Sequence, residues 1–254
     1  MIDIVCVFND CDILENNLLQ SLRHQTSRYN LILIDNRAHQ FSSAAKALNY
    51  GGRKANSEYV MFAHQDIYIP EPHGLEMVEI FLNNIYDLGV AGFAGMVAGG
   101  YSNKKRGRNI IRHGKELVSW SWGNFIDKPE SVQSVDECLF IIPKIIFNIY
   151  QFDEIVCPYW DLYAVDYCLN IQSVTQLKTY VLPIMIYHRS TGRLTKEYFT
   201  SLYKVIKKHR HHYSRINTTT GSWVTPPLLS FMQMKIRWIS IKIKKIVFQY
   251  YETA

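Results

Sequence analysis

Tyr59-Val60-Met61-Phe62-Ala63 is an unbroken apolar run that ends abruptly in His64-Gln65-Asp66. A short run of branched and aromatic side chains, stopped by polar residues, reads as a strand buried on both faces. Two earlier stretches are built the same way. Ile4-Val5-Cys6-Val7-Phe8 stops at Asn9-Asp10, and Leu31-Ile32-Leu33-Ile34 stops at Asp35-Asn36. Between them lie residues of helical period: Leu14, Leu18, Leu19 and Leu22 in the first gap, then Ala44, Ala45, Ala47 and Leu48 in the second, closed by Gly51-Gly52. Strands and helices that alternate at intervals of roughly 30 residues imply βαβ units, a parallel sheet and right-handed crossovers. Open parallel sheets bind ligands beyond the carboxyl ends of their strands. Asn9, Asp10, Asp35, Asn36, His64 and Asp66 are therefore expected on one rim. For any one Asp or Asn, a plain turn after a strand is the competing reading.

Beyond Asp66 the pattern loosens. Gly92 to Gly100 is rich in small residues and precedes the basic run Lys104-Lys105-Arg106-Gly107-Arg108. It reads either as a mobile loop that closes on an anionic substrate or as a solvated surface loop. Cys138 to Ile142 reads as a strand following Asp136-Glu137, and Asp161 to Val174 as a helix with Asp161 as its N-cap. Tyr180 to Tyr187 reads as a strand broken by Pro183, which suits an edge or a bulge, and it leads into His188. Met232, Ile236, Ile239, Ile243 and Ile246 recur every three or four residues, flanked by Lys235, Arg237, Lys242, Lys244 and Lys245. This is a basic amphipathic helix.

With 254 residues, 48% hydrophobic and 20% charged, the chain suits one α/β domain with an extension. Global disorder is excluded by this composition. No apolar run approaches the ~18 residues of a membrane span. Met1-Ile2-Asp3 has no basic region and Ile4–Phe8 is short, so no signal peptide is expected. Cys6, Cys11, Cys138, Cys157 and Cys168 form no CxxC pair and read as reduced thiols in a cytoplasmic protein. The net charge of +6 is unevenly spread. From Arg189 onward there are 13 Lys/Arg against Glu197 and Glu252, leaving 15 of the 28 cations and 20 of the 22 acids before it. The expected division is a mildly acidic body over 1–200 and a basic helical extension over 201–254, which meets something anionic. His209, His211 and His212 lie among Lys207, Lys208 and Arg210, cations that oppose metal binding, and read as an exposed basic face.

Five stretches, in order, resemble the family 2-type glycosyltransferases of GT-A fold. They are the strand ending in Phe8-Asn9, LLQSLRHQT at Leu18–Thr26, LILIDN at Leu31–Asn36, ALNYGGRKANSEYVMFAHQDIYIP at Ala47–Pro70, and the late pair YWDLYAVDYCLNI and LPIMIYHRS ending at Ser190. The likeness is greatest to bacterial glycosyltransferase-like proteins whose metal motif begins with His. It covers roughly residues 1–200 and implies a Rossmann-like, mostly parallel sheet flanked by helices, with the helical extension behind it. Two departures stand out. The D-x-D motif of the family is here His64-Gln65-Asp66, so only its last acid remains, and Tyr163-Ala164 stands where many relatives carry an acid.

The resemblance implies transfer of a sugar from a nucleotide-diphosphate donor, most simply of UDP type, to a saccharide or glycolipid acceptor. The departing diphosphate gains charge in the transition state, which a divalent cation, Mn²⁺ or Mg²⁺, neutralises as a Lewis acid. Such ions take oxygen ligands and need few protein carboxylates. Asp66 is the expected ligand, with His188 as a second. Asn9, Asp35, Asn36, Asn49, His64 and Gln65 are expected to meet the donor, Asp35 through the N–H of a uracil-like base. An inverting transfer needs a base; Asp166 is the first candidate and Asp161 the second. If Asp161 opens the helix, the two do not share a face. Asp136, Glu137 and the ring of Trp160 are acceptor-binding candidates, with Trp120 and Trp122 as further stacking rings. Core packing is the commoner fate of such rings.

Three functions compete. A transferase on a cytoplasmic face would build a surface polysaccharide or glycolipid, with the basic helix giving peripheral contact with the membrane or packing on a second copy in a homo-oligomer. A non-catalytic relative would bind a nucleotide sugar without turnover. A nucleic-acid binder is disfavoured by the acidic body and the lack of an RNA-binding motif.

Overall fold

The computed structural model describes residues 1–100, 102–109, 111–114, 123–189 and 194–252, with side chains as far as Ile243. The chain opens with β1 (Ile2–Phe8). A helical segment follows, made of α1 (Cys11–Leu14), a π-helical stretch Glu15–Leu19 and α2 (Gln20–Leu22). Next come β2 (Tyr29–Asp35), α3 (Ala44–Lys54) and β3 (Tyr59–His64). The middle carries β4 (Ile67–Tyr68), α4 (Gly74–Asn83), β5 (Leu88–Gly92), β6 (Ala94–Met96), α5 (Asn103–Arg106), β7 (Gly107–Asn109) and β8 (Ile111–His113). Then follow β9 (Glu130–Val132), β10 (Ser134–Val135), β11 (Leu139–Pro143), α6 (Lys144–Ile149), α7 (Tyr163–Val174), β12 (Lys178–Val181) and β13 (Ile186–His188). α8 (Lys196–His209), a hairpin of β14 (Arg215–Thr218) and β15 (Gly221–Val224), and α9 (Pro227–Glu252) complete the chain.

Seven strands form the central sheet in the order β2-β1-β3-β11-β5-β12-β9. β1, β2, β3, β5 and β12 run one way, and β11 and β9 run against them. The alternation of strand side chains builds a core on each face. On β1, Ile2, Ile4, Cys6 and Phe8 pack on the α1–α2 and α4 side, while Val5 faces α3 and α7; on β3, Tyr59, Met61 and Ala63 follow the first set and Val60 and Phe62 the second. The second face is aromatic: Phe62 touches Phe140, Phe147 and Phe152, and Phe152 reaches Tyr163 and Tyr167 on α7. Removing one such fully buried ring costs about 3–5 kcal/mol.

Four sequence expectations are corrected. The Gly92–Gly100 segment begins as buried strand: a Cβ at Gly92 would lie 2.6 Å from Val135, and one at Gly95 2.5 Å from the Ser134 carbonyl. Its small residues serve close packing there. The Tyr180–Tyr187 segment is two strands in two sheets, parted at Pro183, which lacks the N–H a continuous strand would need. The helix after Trp160 starts at Tyr163, so Asp161 does not cap it; its N-cap is Leu162, in a left-handed conformation (φ 67°). His209 is buried against α7, while His211 and His212 are exposed as expected. The expected boundary at residue 200 falls inside α8. Among the described residues, no helix is long and apolar enough to cross a membrane.

Candidate active site

β3 hands His64 to a tight turn, and β4 begins directly after Asp66. β4 pairs antiparallel with β13, placing Ile67 opposite His188, and the Arg189 N–H donates to the Asp66 carbonyl at 3.1 Å. The other edge of β13 pairs with β8, His188 opposite His113. This small three-stranded sheet brings Asp66, His188 and His113 to the end of β3. His188 Nε2 lies 3.4 Å from Asp66 Oδ1. The His188 ring is 5.6 Å from that of His64 and 5.5 Å from that of His113. His64, Asp66 and His188 each offer a ligand atom within 4.8 Å of the others. Two imidazoles and a carboxylate suit a borderline divalent ion such as Mn²⁺ better than Mg²⁺.

The three residues of the motif point to three different partners. Asp66 meets His188. Gln65 accepts the backbone N–H groups of Asn9 and Asp10 at 2.9 and 3.1 Å and donates to Asn9 Oδ1 at 2.8 Å, tying the end of β1 to that of β3. His64 Nε2 lies 2.8 Å from the Tyr163 hydroxyl, which in turn is 3.4 Å from the Glu137 carbonyl.

The fields around the two histidines differ. Burial and neighbouring His188 lower the pKa of His64, with Asp66 and Asp136 opposing. Burial also opposes a proton on His188, but its bond to Asp66 and the charges of Asp66 and Asp136 outweigh burial and raise it. Asp136 is held low: burial works against its charge, and His188, Thr219 and Cys138 overcome that. Glu137 goes the other way. Burial, Asp161 and Asp136 push it well above the carboxylate range despite hydrogen bonds from the Leu162 and Ala164 amides. Its Oε1 is buried with no hydrogen-bond partner among the described residues. Asp161 is raised to about 6 by burial and then by Glu197. Leu162, which follows Asp161 and gives its amide to Glu137, is left-handed. For a non-glycine residue this conformation costs on the order of 1–3 kcal/mol, a kind of strain that concentrates at functional sites.

Other expected residues lie elsewhere or are engaged. Asp166 is buried, with its oxygens 2.8 Å from Lys208 Nζ and 2.7 Å from His209 Nε2. Asp35 pairs with Arg37 at 2.6 Å on the rim. Asn36 folds its own loop, accepting from Phe41 N at 2.8 Å and donating to the Phe41 carbonyl. Asn49 braces α3 on the segment after α6, exchanging hydrogen bonds with the Phe152 backbone and donating to Glu154. Trp160 is 44% exposed beside Asp161. Trp120, Trp122 and Ser190 lie outside the described residues. The sequence alone points His64 toward the donor and does not single out Tyr163 or His113, which the fold places beside it and beside His188. One signal was present for His64: it ends β3 two residues before Asp66. His113 had none, because its neighbour in space comes from a strand far along the chain.

The model of the glycosyltransferase-like family matches residues 4–208. No curated protein matches in sequence. Several solved structures share the fold. S. aureus TarS 1-349 in complex with UDP-GlcNAc is 14% identical, with 82% of this chain and 64% of that one covered at a TM-score of 0.53. The mannosyltransferase PcManGT from Pyrobaculum calidifontis, in complex with GDP-Man and Mn²⁺, is 11% identical over 83% of this chain and 64% of that one, at 0.55. GalNAc-T7 with UDP, GalNAc and Mn²⁺ is 11% identical over 81% and 47%, at 0.56. This chain thus spans less than two thirds of each, and at such identities the likeness is one of fold. The strand order, the rim of polar strand ends and the matched residues agree: the chain belongs to the glycosyltransferase-like family and has the GT-A fold.

Proposed function

We propose that the chain transfers a sugar from a nucleotide-diphosphate donor to a saccharide or lipid-linked acceptor, with inversion. One observation carries this reading: His64, Asp66 and His188 converge at the strand-end rim, beside the half-buried acids Asp136, Glu137 and Asp161. A divalent cation fits this donor set and, when bound, neutralises charge on the departing diphosphate. His64, Asp66 and His188 are the residues that would hold it, and two nitrogen donors favour Mn²⁺. Neighbours of the same fold bind UDP-GlcNAc, UDP or GDP-Man, which supports a nucleoside diphosphate along the ends of β1, β2 and β3, with Asp35 toward the base. Asn9 and Gln65 shape the floor of that rim; the amides of Asn36 and Asn49 are spent on the scaffold.

The base is assigned to Asp161. Its burial makes it a stronger proton acceptor than an ordinary aspartate, near the range in which a general base works best. As the acceptor oxygen bonds to the anomeric carbon, the carbon–diphosphate bond breaks, the hydroxyl proton passes to Asp161, and the nucleoside diphosphate leaves. Glu137, whose protonated form is favoured by burial and by the charges of Asp161 and Asp136, stands beside it to offer an acceptor hydroxyl a hydrogen bond. Trp160 offers the sugar face an apolar surface. We place the reaction on the cytoplasmic side, in the assembly of a surface saccharide, where the five free cysteines would stay reduced.

A panel of UDP- and GDP-sugars with Mn²⁺, read by release of nucleotide, tests the reading. Full activity of Asp66→Asn would sink the metal assignment. The substitution of the family's acids by His64 and Ala164 favours a second reading, a binding protein without turnover. Calorimetric binding of a nucleotide sugar with no release over a broad acceptor panel would support that instead.

A further inference from the structure

α9 carries two apolar faces. One packs on the body: Ser230 and Met234 are buried, Gln233 accepts from Val224 N and donates to the Ser222 carbonyl, and Trp238 meets Phe199 edge-on at 5.6 Å. The other runs through Leu228, Met232, Ile236, Ile239 and Ile243. Their spacing of three or four residues stacks them into one stripe. All five are exposed, from 54% at Ile239 and Ile243 to 81% at Leu228. By helical period the stripe lies on the side of the helix opposite Ser230 and Met234, so it faces away from the protein. Lys235 and Lys242 border it, their ammonium groups over the rings of Phe231 and Trp238 at 4.6 and 5.4 Å. By the same period Arg237, Lys244 and Lys245 lie farther round the helix from the stripe and raise its overall charge only, and Glu252 is the helix's only acid.

We propose that this outer face of α9 lies in the interface of an anionic lipid bilayer, with the stripe among the acyl chains and the lysines at the headgroups. A helix with an apolar stripe edged by cations has the amphipathic form that lies in the plane of such a surface, and each Lys near an anionic leaflet adds to the attraction. Charge argues against the other occupants. Two copies meeting stripe to stripe would bring both sets of cations together with one acid from each helix, a like-charge juxtaposition. Nucleic acid would satisfy the lysines and leave the stripe in water. This inference goes beyond sugar transfer and does not depend on it.

The test is flotation of the full chain with phosphatidylcholine vesicles and with vesicles containing roughly 30% phosphatidylglycerol, without any donor. Binding is expected to the anionic vesicles only and to weaken with salt. Ile236→Ser/Ile239→Ser should lower the bound fraction about ten-fold or more, with the circular dichroism melt unchanged. Lys235→Glu/Lys242→Glu should abolish the preference for anionic lipid. Absence of flotation with anionic vesicles overturns the proposal, as does flotation indifferent to the stripe variant. A dimer in sedimentation that the stripe variant dissolves would also overturn it, in favour of a second copy.

Discussion

One turn of α7 separates two clusters of acids and imidazoles that work in opposite ways. At the start of the helix, Tyr163 reaches His64, and around it stand Asp66, His188, Asp136, Glu137 and Asp161. One turn on, Asp166 meets Lys208 and His209, and Lys208 also binds Asp153 at 3.1 Å. The second cluster is closed, each carboxylate facing a nearby donor. Among the described residues the first has more carboxylates than bases, two of them pushed upward in pKa, and a left-handed leucine in its wall. Electrostatic surplus and backbone strain are features a fold retains where a ligand completes the site. An acid by itself therefore says little about function; what decides is whether its neighbours already satisfy it.

The comparison is broken most severely at Asp66. Asp66→Asn keeps the shape and removes the charge, so transfer should fall roughly 10³-fold, as when one preorganised electrostatic group is lost. Mn²⁺ binding, read by calorimetry, should weaken in parallel. Next is Asp161→Asn, expected to lower kcat roughly 10²–10³-fold while donor affinity holds, because general-base loss costs rate rather than binding. In the unsubstituted protein, kcat/KM should rise with pH through about 6, as Asp161 loses its proton. The sign for folding is opposite. Asp161 binds its proton more tightly folded than unfolded, so it costs stability as pH rises from about 4, the unfolded value, to about 6. A pH profile flat between 5 and 7, together with an unchanged Asp161→Asn rate, would move the base elsewhere.

The same contrast separates what sequence could tell from what it could not. β1, β2 and β3 were legible because each is a local apolar run with polar residues at its carboxyl end, and adjacent parallel strands bring those ends together without further information. Asp66 followed from that logic. His188 needed the family resemblance, because its approach to Asp66 depends on β13 leaving the main sheet after Pro183 and pairing with β4. Tyr163 and Asp166 were beyond reach. Helical spacing gave no hold on Asp161, which lies ahead of α7, nor on which acid meets Lys208, since that is set by where α8 docks.

Tyr163→Phe is a smaller break. Its hydroxyl holds His64 by one nitrogen, and groups that orient a metal-binding imidazole typically contribute 10- to 100-fold in metal affinity. We expect about ten-fold weaker Mn²⁺ binding with little change in the melting temperature, since the ring keeps its place against Phe140 and Phe152. Loss of thermal stability without loss of metal affinity would make Tyr163 a packing residue only.

The smallest effect on transfer is expected at Asp166, although the sequence alone ranks it first as the base. Asp166→Asn leaves Lys208 to Asp153, a partly exposed partner, and takes the charge from beside buried His209. Removing one member of a buried ion pair costs about 3 kcal/mol when the other is left without a counter-charge, and Asp153 keeps the loss at Lys208 below that. The variant should therefore melt at lower temperature and unfold at lower denaturant, while the fraction that is folded transfers sugar within about three-fold of the parent rate. Asp153→Asn should destabilise less, since that carboxylate is partly solvated and keeps the Ile155 and Val156 amides. A collapse of kcat in Asp166→Asn at an unaltered melting temperature would reverse the assignment: the closed cluster would then be the one that opens during turnover, and Asp161 the acid that stands by.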